Sequence, residues 1–158
     1  MKEQLKELLE MQKTLDESIL KEHGNVYDEE IAEKMKVALF VELGELMNEF
    51  PTKFKHWKKT AKDDREKGLV EYVDALHFAL SLFNHYQCNL FDLCEYEQYH
   101  TNCNLGMLLV GCVDNCRYDD CLMYLFDIGN NLGFTWEEIY KAYKDKNAVN
   151  YERLKNGY

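Results

Sequence analysis

Gly68-Leu69-Val70-Glu71-Tyr72-Val73-Asp74-Ala75-Leu76-His77-Phe78-Ala79-Leu80-Ser81-Leu82-Phe83 is the stretch whose reading decides the fold. It is almost wholly apolar from Leu76 to Phe83, and its carboxylates, Glu71 and Asp74, stand three residues apart. A run this long and this apolar reads as a helix buried on most sides. On such a helix a spacing of three puts both carboxylates on one face. The pattern predicts a helix over about 65–86.

Toward the N-terminus lies a basic connector, residues 51–64, where Lys53, Lys55, Lys58, Lys59 and Lys62 surround Phe54 and Trp57. Before it, Ile31, Met35, Ala38, Leu39, Val41, Leu43, Leu46 and Met47 predict a helix over 28–50, closed by Pro51. Leu5, Leu8, Leu9, Gln12, Leu15, Ile19 and Leu20 predict another over 2–22, stopped at Gly24-Asn25. Toward the C-terminus, residues 89–99, 104–116 and 119–131 each suit a helix. Thr135 with Glu138 forms a capping-box pattern before a last helix over 136–155. No strand alternation, repeat or linker interrupts this series. The expectation is one all-α domain over residues 1–158, a helical bundle.

Nineteen Lys and Arg against 29 Asp and Glu give a net charge of −10. That argues against sequence-independent binding of polymeric nucleic acid, which needs cations against phosphates. A small polyanion remains possible if metal ions bridge the two negative partners. No segment reaches the roughly 20 apolar residues needed to span a bilayer. Met1-Lys2-Glu3-Gln4-Leu5 lacks the apolar core of a signal sequence. A cytoplasmic location is expected, and with it reduced thiols. The six cysteines, at 88, 94, 103, 112, 116 and 121, contain no Cys-x-x-Cys pair. Buried thiols are a better reading than zinc.

A second carboxylate pair, Glu42 and Glu45, repeats the spacing of Glu71 and Asp74. Such pairs are common on solvated faces, and Glu7/Glu10 is one. These two differ in their neighbours: Phe40, Val41, Leu43 and Leu46 around the first, Leu69, Val70, Val73 and Leu76 around the second. Four carboxylates on packed helices repel unless cations intervene. Hard oxygen donors select Mg²⁺ or Mn²⁺. Near the C-terminus Lys146, Asn150 and Arg153 share a helical face and could hold phosphate oxygens. The plainer alternative is that these cations complement the helix dipole. His77, inside an apolar helix, reads as a core histidine.

Glu42-x-x-Glu45, Phe54-Lys55-His56-Trp57-Lys58 and Glu71-x-x-Asp74-x-x-His77-Phe78 resemble the dimeric all-α dUTPases. These belong to the all-α NTP pyrophosphatases, with the dCTPases and MazG-type enzymes. Lys146 to Arg153 with Gly157-Tyr158, and Leu9 to Lys13, are similar to that family's end motifs. The resemblance implies a dUTP diphosphatase acting on a small deoxynucleotide as a homodimer. It implies Mg²⁺ on Glu42, Glu45, Glu71 and Asp74, with Glu42 as the base for a water attacking the α-phosphorus. It assigns phosphates to Lys58, Lys146, Asn150 and Arg153, the base to Gln12, and the nucleoside faces to Trp57 and Phe78. A dCTPase, a broader nucleotide pyrophosphatase and a non-enzymatic helical interaction protein are the alternatives.

Overall fold

The computed structural model describes residues 1–89, 104–114 and 118–157, and the described residues form helices without strands. Helix α1 spans Lys2–His23 and ends at Gly24, whose φ of 66° is a left-handed conformation that favours glycine. Helix α2, Glu29–Glu49, starts where the Asp28 carboxylate accepts from the Ile31 amide at 3.0 Å. Pro51 then opens a single 3₁₀ turn over Pro51–Lys53.

Helix α3, Arg65–His85, is capped by Asp64, which accepts from the Lys67 amide at 3.1 Å. Helices α4 (Leu105–Asp114) and α5 (Tyr118–Asn131) follow. Helix α6, Trp136–Lys155, begins in the Thr135–Glu138 capping box. The helix expected over 89–99 falls almost wholly outside the described residues, as do Cys94, Cys103 and Cys116.

Helix α3 is the spine. It packs against α1, α2, α5 and α6, and its Tyr72, Leu76 and Leu80 are fully buried. Each such side chain contributes about 1.5–3 kcal/mol by leaving water. Tyr72 Oη donates to the Leu125 carbonyl at 3.0 Å, so even this buried hydroxyl is satisfied. Arg65 donates to the Gly133 carbonyl and to Glu138, both at 2.7 Å, tying the start of α3 to the start of α6. Where α2 ends against α3 the approach is close: a Cβ on Gly68 would lie 2.3 Å from Phe50 Cε2.

The apolar setting expected around the carboxylate pairs divides in two. Leu43, Leu46, Val73 and Leu76 are buried, but Phe40 (64% exposed), Val41 and Val70 face solvent. The physical reason is helical geometry: a residue adjacent in sequence turns about 100° away, so apolar neighbours on both sides cannot share one face. Helix α4 packs on α2 and α5, and it too exposes Met107, Val110 and Val113. Cys112 and Cys121 are buried free thiols on facing helices, with their sulfurs 3.6 Å apart. Among the described residues no helix is long and apolar enough to cross a membrane.

Candidate active site

The carboxylate spacing read from the sequence becomes a cluster because α2 and α3 pack side by side. One carboxylate oxygen from each of Glu42, Glu45 and Glu71 lies within 4.8 Å of the others. Asp74, one turn on from Glu71, is held differently. Its Oδ2 takes the Lys146 ammonium at 2.5 Å, from a helix 72 residues away in sequence. Both side chains are mostly buried, so this ion pair is little screened.

The remaining negative charge is poorly balanced. Partial burial, then the charges of Asp74, Glu45 and Glu71, push the Glu42 carboxyl up to about 7, and Lys146 only partly offsets them. Burial raises Glu71 too, with Asp74, Glu45 and Glu49 adding repulsion. Glu49, one turn beyond Glu45 on α2, was not singled out by the sequence reading.

Do these residues fit a divalent cation? The donors are hard oxygens, and octahedral Mg²⁺ at about 2.1 Å separates its ligand oxygens by up to about 4.2 Å. Adjacent ligands stand about 3.0 Å apart, so the three oxygens would draw together by side-chain rotation to meet that. The Lys146 ammonium on Asp74 is a cation already standing against one of the four carboxylates. The residues fit the group.

Glu42 and Asp74 also line a cavity of about 390 Å³. Gln12, Phe78, Lys146, Asn150 and Arg153 line it too, so α1, α2, α3 and α6 all contribute. Trp57 and Lys58 are not brought to it. They stand exposed on the connector, Trp57 with 67% of its surface free. The connector is pinched at its neck, where the Asp63 carboxylate accepts from the Thr52 amide at 3.0 Å and from its hydroxyl at 2.5 Å.

Elsewhere in the cavity wall, Gln12 Nε2 donates to Asp16 at 2.7 Å, and Gln12 Oε1 accepts from Tyr143 Oη at 2.7 Å. Tyr143 stacks on His77 with ring centres 4.2 Å apart. His77 Nδ1 donates to the Val73 carbonyl at 2.8 Å, while its buried Nε2 has no hydrogen-bond partner. Burial lowers His77 to about 4, so it is neutral and Nε2 is a bare acceptor. The histidine is therefore a buried core residue, as its setting suggested, and also part of the cavity wall.

Asp16 and Tyr143 escaped the sequence reading, although signals existed. Asp16 is one turn from Gln12, and Tyr143 falls in register with Lys146 and Asn150.

A ligand-sized cavity near clustered carboxylates, with Lys and Arg on a facing helix, suits a hydrolase of nucleotide phosphates. The family model described as dUTPase matches residues 4–158, and the chain belongs to that family. Its reaction is that of a dUTP diphosphatase, which yields dUMP and pyrophosphate. No curated protein matches the chain.

Proposed function

We propose that the protein hydrolyses dUTP by water attack at the α-phosphorus, with Mg²⁺ held by Glu42, Glu45, Glu71 and Asp74. The observation that carries this reading is the convergence of three carboxylates beside the cavity that Lys146, Asn150 and Arg153 line. When bound, Mg²⁺ (or Mn²⁺) activates water near neutral pH and neutralises charge on the leaving pyrophosphate.

The chain's own residues do the rest. Glu42 takes the proton of the attacking water. Lys146 exchanges Asp74 for a phosphate oxygen, and Arg153 and Asn150 on the same face hold further oxygens. Gln12 meets the base. Phe78, one turn after Asp74, lies against the deoxyribose and leaves no room for a 2′-hydroxyl. Trp57 and Lys58 require the connector to fold over the nucleotide.

Hydrolysis of dUTP in ¹⁸O-water tests the chemistry. Label in dUMP is expected, and label in pyrophosphate would overturn attack at the α-phosphorus. Quenching of Trp57 fluorescence by dUMP tests the connector: a Trp57→Phe variant should abolish the signal, and an undiminished signal in that variant removes Trp57 from the site.

The protein acts in the cytoplasm as a homodimer in this reading. Support comes from the exposed apolar side chains Val37, Phe40 and Val41 on α2 and Met107, Val110 and Val113 on α4. Light scattering should give twice the 18.8 kDa chain mass, and Phe40→Asp should halve it. A monomeric parent protein contradicts the assignment.

A further inference from the structure

The Gln12 amide is tethered at both ends, to Asp16 through Nε2 and to Tyr143 through Oε1. Gln12 is 3% exposed, and it lines the cavity. A primary amide has two N–H hydrogens and two carbonyl lone pairs. One of each is used inside the protein, and one of each is left for a ligand.

The tethers are themselves constrained. Burial raises the Asp16 carboxyl to about 6, against hydrogen bonds from Ser81 and Gln12 that lower it. At neutral pH Asp16 is therefore mainly an anion and can only accept. Burial pushes the Tyr143 phenol upward, so it stays neutral and keeps its proton to donate. The two ends of an amide are nearly equal in shape, and ordinarily it can turn end for end. Here a turn would set Oε1 against an anionic carboxylate, a steep cost, and would oblige the Tyr143 hydroxyl to accept instead of donate, a small one.

We propose that Asp16 is a positioning residue for base selection: by fixing the sense of the Gln12 amide, it favours uracil over cytosine. The proposal rests on the reading that Gln12 meets the base. Uracil offers a carbonyl acceptor, O4, beside a donor, N3–H. Cytosine offers an amino donor beside an acceptor, N3. An amide in one sense pairs with the first edge, and only the turned amide pairs with the second. A site whose amide cannot turn leaves a cytosine edge with like groups opposed, which is costly where water is excluded. Thymine shares the uracil edge, so its rejection lies outside this device.

Substitution with two readouts tests the idea. The first is the ratio of kcat/KM for dUTP over dCTP. The second is the ratio of Kd for dCMP over dUMP, which needs no chemistry. Asp16→Asn can donate or accept, so it permits either sense of the amide. Both ratios should fall about tenfold or more, with cytosine nucleotides gaining as uracil nucleotides lose. A side chain that only supported the fold would weaken both nucleotides together and leave the ratios unmoved.

Tyr143→Phe removes the other tether and should move the ratios in the same direction by less; it decides the matter if the Asp16 variant does not fold. Parent-like ratios in every folded tether variant, alongside altered ratios in Gln12→Ala, overturn the tether while keeping the base contact. Unchanged ratios in Gln12→Ala remove the contact itself, and the proposal with it.

Discussion

Two groups of side chains in the cavity, called its carboxylate end and its amide end, are built on opposite electrostatic plans. At the carboxylate end, like charges crowd together and one lysine offsets only part of the repulsion. At the amide end, Gln12, Asp16 and Tyr143 complete one another through neutral and charge-assisted hydrogen bonds. The first end is under-supplied with positive charge, so it gains most from a partner brought in from solution. The second is organised before any ligand arrives and gains by selecting. Chemistry and recognition thereby fall to different side chains of one cavity, the carboxylates on α2 and α3 and the amide with its partners on α1 and α6, while Lys146 of α6 reaches across to Asp74.

The largest effect that could break this division belongs to Glu71→Gln. It should slow dUTP hydrolysis by about a hundredfold or more. Metal-free discrimination between dUMP and dCMP should stay at the parent value, and a shift there would show the ends to be coupled.

Next in size is the pH dependence of cation binding. Glu42 holds its proton up to about 7, so Mg²⁺ must displace that proton below this pH. Calorimetric Mg²⁺ affinity should drop about tenfold per unit on acidification from pH 7. A flat profile would mean that Glu42 is not a ligand.

Gly68→Ala sharpens the comparison through packing. The added methyl meets the Phe50 ring and should cost about 1–3 kcal/mol in denaturant unfolding. It should also spread α2 from α3, lowering Mg²⁺ affinity more than dUMP affinity. Equal losses would locate the damage elsewhere.

The smallest effect is a gain. Glu42 has an ordinary value of 4.5 and a folded value of about 7, so the folded state binds the extra proton. Its contribution to stability therefore falls as pH rises from 4.5 to 7. His77, held neutral by burial, acts in the opposite sense between 6.5 and about 4. At pH 7.5, above both windows, Glu42→Gln should raise the Tm of the metal-free protein by about 2–4 °C, what roughly 1 kcal/mol is worth at this chain length. A lower Tm would mean that the repulsion is already relieved.

Much of the fold was legible because its punctuation is local. Asp28, Asp64, Thr135 with Glu138, Gly24 and Pro51 mark helix ends by chemistry that acts over a few residues. The spacing of Glu42/Glu45 and Glu71/Asp74 likewise survives folding, since one helix carries each pair. What periodicity cannot tell is which faces meet. Lys146 reaches Asp74, and Tyr143 reaches Gln12, only because α6 docks against α3 and α1. Trp57 and Lys58 were legible as a motif but not as a position, because the connector has no helix face to fix them. Phe40, Val41 and Val70 were read as cover for the carboxylates, yet they point into solvent.

The bond between Thr52 and Asp63 has a consequence for limited proteolysis. It ties the connector into a ring at its neck, and the ring carries Lys53, Lys58, Lys59 and Lys62 in the open. Trypsin should cut there first. The two fragments would stay together, because α2 and α3 hold one another through their buried faces rather than through the chain between them.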